Sequence, residues 1–76
     1  MEHLRLECTI HAQQRMKQRG ITKDEVEHCV VNYDIRYHDP KGNMVYRSSL
    51  SYGKRIKVVT KGNTNDPAIV ITVADI

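Results

Sequence analysis

The chain has 76 residues, neither Trp nor Phe, and a net charge of +3 from 12 Lys/Arg and 9 Asp/Glu. A chain this short forms one small domain whose core supplies only about 3–5 kcal/mol of net stability. No apolar run approaches the roughly 20 residues that span a bilayer, and no signal peptide is visible, so Cys8 and Cys29 read as packed, reduced thiols of a cytoplasmic protein, with a disulfide as the lesser alternative.

The charge is unevenly placed. Residues 1–20 carry four Lys/Arg against two Asp/Glu, residues 21–40 two against five, and residues 41–76 six against two. Folded together, the basic first and last segments form either one face that attracts a polyanion or an ordinary charged surface.

In chain order, "MEHLRLEC" alternates loosely and predicts a short edge strand or an ordered arm. Thr9 is placed to cap a first helix that stops at Gly20, a residue favoured just past a helix end because it takes the left-handed conformation at no steric cost. "ITKDEV" is a capping box, with Thr22 at the cap, Glu25 three residues on, and Ile21 and Val26 as the hydrophobic staple. Val26, Cys29, Val30 and Tyr33 follow at helical spacing as one apolar stripe.

After Tyr33 the period changes. "DIRYHD" reads as a strand, "DPKGN" as a turn, "MVYRSSLSY" and "RIKVVTK" as alternating strands reversed at "GK", and "GNTND" as a loop. "PAIVITVADI" is a continuous apolar run suited to a central strand or one packed against helices. The expected fold is α+β, with two N-terminal helices packed on one face of a three- to four-stranded antiparallel sheet. The other face stays open, with Arg47, Ser49, Ser51 and Lys57 pointing together.

Several residues carry chemistry. His11, Arg15 and Arg19 span about an 80° arc of the first helix, with Ala12 and Met16 at its border supplying the core contact. They form either a solvated face or one wall of a phosphate site, because guanidinium forks suit phosphate and histidine moves protons near neutrality. Tyr46 and Arg47 sit on opposite faces of their strand, Lys54, Arg55 and Lys57 lie at and after the hairpin, and Thr72 sits in the last strand. Arg47 and Lys57 fall near one another across the ladder, and two like charges there are unfavourable unless an anion lies between them. The histidines and cysteines show no familiar ligand spacing, so no metal site and no cofactor is expected. There is also no phosphate loop and no nucleophile elbow. RNA strand scission remains, since RNA brings its own 2′-hydroxyl and needs only proton carriers and cations.

"HAQQRMKQRGIT", with "MVYRSSL", "KRIKVVT" and "AIVITVADI", resembles a family of short, largely uncharacterised bacterial and phage-borne proteins with a His-Ala, Arg-Met, Arg-Gly-Ile signature. That family is similar in organisation to the RelE/ParE/BrnT toxin group. The resemblance implies one RelE/BrnT-like domain over 1–76 and a metal-independent endoribonuclease toxin acting on mRNA or tRNA, free or on the ribosome. It also implies an antitoxin partner, with a homodimer left open and no membrane association. Carried over by motif, it points to His11, Arg15, Tyr46, Arg47 and Lys57 as catalytic and to Arg19, Lys54, Arg55 and Thr72 as substrate-binding. In those roles His11 is a general acid or base, Arg15 and Arg47 hold the scissile phosphate, and Tyr46 or Lys57 carries the second proton. The "YR" strand lacks the family's usual following Gly, having Ser48 instead. The alternative is a non-catalytic nucleic-acid- or protein-binding module.

Overall fold

Thr9 opens the first helix in the computed structural model, which describes residues 5–50, 52–62 and 68–76. Its hydroxyl accepts from the Ala12 N–H at 3.1 Å, and helix α1 runs Ile10–Arg19 to Gly20, whose φ of 65° is the left-handed stop expected there. Helix α2, Lys23–Val31, begins with the full capping box: Thr22 Oγ1 accepts from the Glu25 N–H, and Glu25 accepts from the Thr22 N–H at 2.8 Å. Val26, Cys29 and Val30 are buried along α2 as their spacing predicts. Tyr33 departs from that stripe, because the helix ends before it and the residue stays 39 % exposed, its ring tilted against Tyr46.

The strands are β1 (Leu6–Cys8), β2 (Ile35–His38), β3 (Met44–Ser49), β4 (Arg55–Thr60) and β5 (Ala68–Asp75), in the order β1-β5-β4-β3-β2. Here the expectation of a three- to four-stranded antiparallel, RelE/BrnT-like sheet is overturned: the sheet has five strands and is mixed. Leu6–Cys8 pairs in parallel with Ala68–Val70. A parallel neighbour needs a long crossover, and almost the whole chain supplies it, so local turn signals carry no trace of this pairing. Both turns are as read. The Asp39 carboxylate accepts from the Lys41 and Asn43 N–H groups, and Gly53 at φ 87° closes the β3–β4 hairpin. Ser51 and most of the "GNTND" loop lie outside the described residues.

The helices cover one face of the sheet. Ala12, Val26 and Cys29 bury completely there with Ile56, Val58 and Val70. In β5, Thr72 pairs with Val59 and Val70 with Thr60, so Ile71 bulges out of register. Its carbonyl accepts from the Thr9 hydroxyl at 3.1 Å, which ties the start of α1 to the last strand. No helix among the described residues is long and apolar enough to cross a membrane.

Candidate functional site

Strand alternation sorts the polar residues of the sheet onto two faces. Ile56 and Val58 belong to the helix-side core, and their register partners Ser48 and Tyr46 lie on that face with them. The Ser48 hydroxyl donates to the Asn32 carbonyl at the end of α2. Arg47 and Lys57 therefore lie on the open face, directly opposite one another in the β3–β4 ladder. Thr72 joins them diagonally, because its partner Val59 is two residues beyond Lys57. Arg55, opposite Ser49, extends the same surface by one row. The expectation that Arg47, Ser49 and Lys57 point together is met by this register.

Opposed residues in such a ladder have Cβ atoms roughly 5 Å apart, so Arg47 and Lys57 bring two cations close together. Neither they nor Arg55 has an ion-pair partner among the described residues. A cleft of about 270 Å³ opens beside Arg47, lined among others by Asp34, Ile35, Arg47, Ser49, Arg55 and Ile76. Asp34 is its one acidic side chain, and its Oδ2 accepts from the Ser49 N–H at 2.8 Å. Val45 is buried on this open face, and its β2 partner Tyr37 is 43 % exposed beside it. The surface thus offers cations over an apolar floor with an accessible aromatic ring.

The remaining predicted residues lie with the helices. His11 is exposed in the first turn of α1. Arg15 is half-buried, with its Nε inaccessible and without a hydrogen-bond partner. Arg19 pairs loosely with Asp75 at 3.7 Å, both about half exposed. Tyr46 packs against the core cluster, its ring centroid 5.6 Å from that of Tyr33. Lys54 is held internally: its ammonium donates to the Gly20 carbonyl at 2.7 Å and to Glu25 Oε1 at 3.1 Å, clamping the hairpin to the corner between the helices. Glu25 also accepts from the Tyr52 hydroxyl. That bond, the Thr22 N–H and Lys54 hold the Glu25 carboxyl down to about 2.

The structure thus brings Arg47, Arg55, Lys57 and Thr72 to one surface. It leaves His11, Arg15, Arg19, Tyr46 and Lys54 on the side where α1 and α2 pack. Among the described residues, Arg47 and Lys57 oppose each other in the β3–β4 ladder, while Arg15 projects from α1 with its Nε unpartnered. Asp34, Ile35 and Tyr37 were not legible as site residues. Only the alternation of "DIRYHD" hinted that Ile35 and Tyr37 share a face.

A match to a family model spans residues 8–75, from the last residue of β1 through α1 to the end of β5. The chain belongs to the family described as Domain of unknown function (DUF4258). No curated protein and no solved structure matches the chain significantly. The family description carries no activity, so membership identifies the domain and leaves its chemistry to be argued from the open face.

Proposed function

We propose that this chain is a metal-independent endoribonuclease that holds the RNA backbone on the open face of its sheet. One observation carries the reading: Arg47 and Lys57 oppose each other in register with Arg55 one row away, and none has an acidic partner among the described residues. Like charges so placed repel unless an anion sits between them, and phosphate suits a guanidinium fork. In the reaction, the 2′-oxygen gives its proton to water and bonds to phosphorus as the bond to the 5′-oxygen breaks, and that leaving oxygen takes a proton from the Lys57 ammonium. The products are a 2′,3′-cyclic phosphate and a 5′-hydroxyl end. Lys57 is the proton carrier on this face, with Arg47 and Arg55 stabilising charge on the phosphorane. The toxin role and an antitoxin partner follow from the resemblance to the RelE/ParE/BrnT group and belong to the same proposal.

The test is incubation of the purified chain with labelled RNA, reading cyclic-phosphate ends. Arg47→Ala and Lys57→Ala should lose cleavage by at least about a hundredfold, the scale expected of a lost proton carrier or charge stabiliser. His11→Ala should retain cleavage. Loss in His11→Ala alone would move the site to α1.

A second reading is favoured by the position of His11 and Tyr46 away from the open face, which leaves that face with a single titratable proton carrier among the predicted residues. On it the chain binds RNA without cutting. Salt-sensitive RNA binding with no cleaved ends would select this reading.

A further inference from the structure

Strand β2 is one of the two edges of the sheet, paired with β3 on one side and with no strand among the described residues on the other. All four of its residues are exposed. Val31, Tyr33, Ile35 and Tyr37 all count among the exposed large hydrophobics, within seven consecutive positions. Edge strands are usually closed to strangers by shortness, charge, proline or a covering loop. Here shortness and the basic residues Arg36 and His38 guard the edge, while the apolar side chains do the opposite. An edge of that kind selects what it pairs with.

The selection can be read from the two faces. Ile35 and Tyr37 lie on the open face with their partners Arg47 and Val45. Arg36 and His38 lie on the helix face with Tyr46 and Met44. On that face the Arg36 guanidinium sits over the Tyr33 ring, 5.0 Å from its centroid. A strand laid along β2 would place alternate side chains against Ile35 and Tyr37, and the others beside Arg36 and His38. A second copy is a poor occupant. Two-fold antiparallel pairing keeps each face on its own side, so Arg36 would meet Arg36 or His38 of the other copy.

We infer that the outer edge of β2 takes an extended segment of a partner protein in which apolar and acidic residues alternate. Its backbone adds a sixth strand by β-augmentation. Its apolar side chains cover Ile35 and Tyr37, and its carboxylates lie beside Arg36 and His38. The inference does not rest on the ribonuclease reading, because it uses the edge backbone, Ile35, Tyr37 and the helix-face cations rather than the charges of Arg47 and Lys57.

The test uses three blocked peptides: alternating valine and glutamate, alternating valine and lysine, and the valine–glutamate sequence N-methylated at every residue. Binding is read by anisotropy of a labelled peptide, and amide exchange is followed over residues 35–38. The valine–glutamate peptide should bind at least about tenfold tighter than the lysine peptide and slow exchange at the edge. N-methylation should abolish binding, because it removes every backbone donor while keeping the side chains. Arg36→Glu should reverse the charge preference. Should that variant unfold, Arg36→Gln must still narrow the preference. Equal binding of both charged peptides, binding that survives N-methylation, or no binding of the valine–glutamate peptide would overturn the inference. Self-association that protects residues 35–38 without peptide would overturn it as well. RNA binding measured without peptide tests the open face separately.

Discussion

If Arg47 and Lys57 face each other without a counter-charge, removing one charge should stabilise the fold. Two unit charges roughly 6 Å apart repel by about 0.7 kcal/mol at the dielectric of water and about 3 kcal/mol at an effective value of 20. Both side chains are half-buried, but their long stems let the charged ends splay. Measured cross-strand pairs favour the lower end, so the expected repulsion is about 0.5–1 kcal/mol. A cycle of Arg47→Gln, Lys57→Gln and the double variant isolates it, because effects of each residue alone cancel. Urea unfolding at low salt should return a repulsive coupling of that size. Each single variant should gain about 2–8 °C in melting temperature. The coupling should vanish near 1 M salt, where the screening length falls to about 3 Å. In the same variants the slope of log affinity for single-stranded RNA against log salt should fall by about 0.7 per charge removed. A coupling of zero, or one of attractive sign, would refute the argument. It would mean that some group already neutralises the pair.

Four further outcomes follow from the packing and the caps. Glu25 ionises at about 2 in the folded chain against 4.5 unperturbed, so its contribution is complete above pH 4.5 and lost as pH falls toward 2. Allowing for screening at its partner Lys54, Glu25→Gln should cost about 1–2 kcal/mol at pH 7 and flatten urea-unfolding stability between pH 4.5 and 2.5. Gly20→Ala meets nothing within 4 Å but forces alanine to a φ of 65°, so calorimetry should show a loss of about 1 kcal/mol with the fold intact. Ile56→Ala, at a fully buried position, should cost about 2–5 kcal/mol and leave the chain largely unfolded in circular dichroism. Burial, with a smaller contribution from Asp34, pushes the Cys29 thiol up to about 12, so iodoacetamide should alkylate it only through unfolding, at a rate that rises with urea.

What could be read in advance divides by range. The two helices, their caps at Thr9 and Thr22 and the stop of the first at Gly20 were legible because capping, stapling and the glycine stop act within a few residues. The β3–β4 hairpin and the shared face of Arg47, Ser49 and Lys57 were legible because a period of two and a short turn fix register together. The parallel pairing of Leu6–Cys8 was not, since its partner lies 62 residues away and no local signal specifies it. The grouping of the candidate site residues was illegible for a related reason. His11, Arg15, Arg47 and Lys57 each sit in a pattern that suits phosphate, but patterns do not say which face of a sheet a helix covers. Lys54 shows the converse case. A lysine at a hairpin tip looks free in the sequence, and here it bonds the Gly20 carbonyl and the Glu25 carboxylate.

The bond from the Thr9 hydroxyl to the Ile71 carbonyl also sets an order of assembly. Helix α1 packs chiefly on β5, and β1 pairs only with β5. During synthesis residues 5–19 therefore have no sheet to dock on until β5 has left the ribosome. The hairpins of β2, β3 and β4 can pair earlier, because their contacts close short loops. The N-terminal segment waits with Leu6 and Ala12 uncovered, and closes the fold from the start of the chain onto its last strand. A truncation that removes β5 should leave α1 undocked rather than merely shorten the sheet. Slow steps in refolding should then report the arrival of β5 at the edge of β4, with α1 and β1 joining only afterwards.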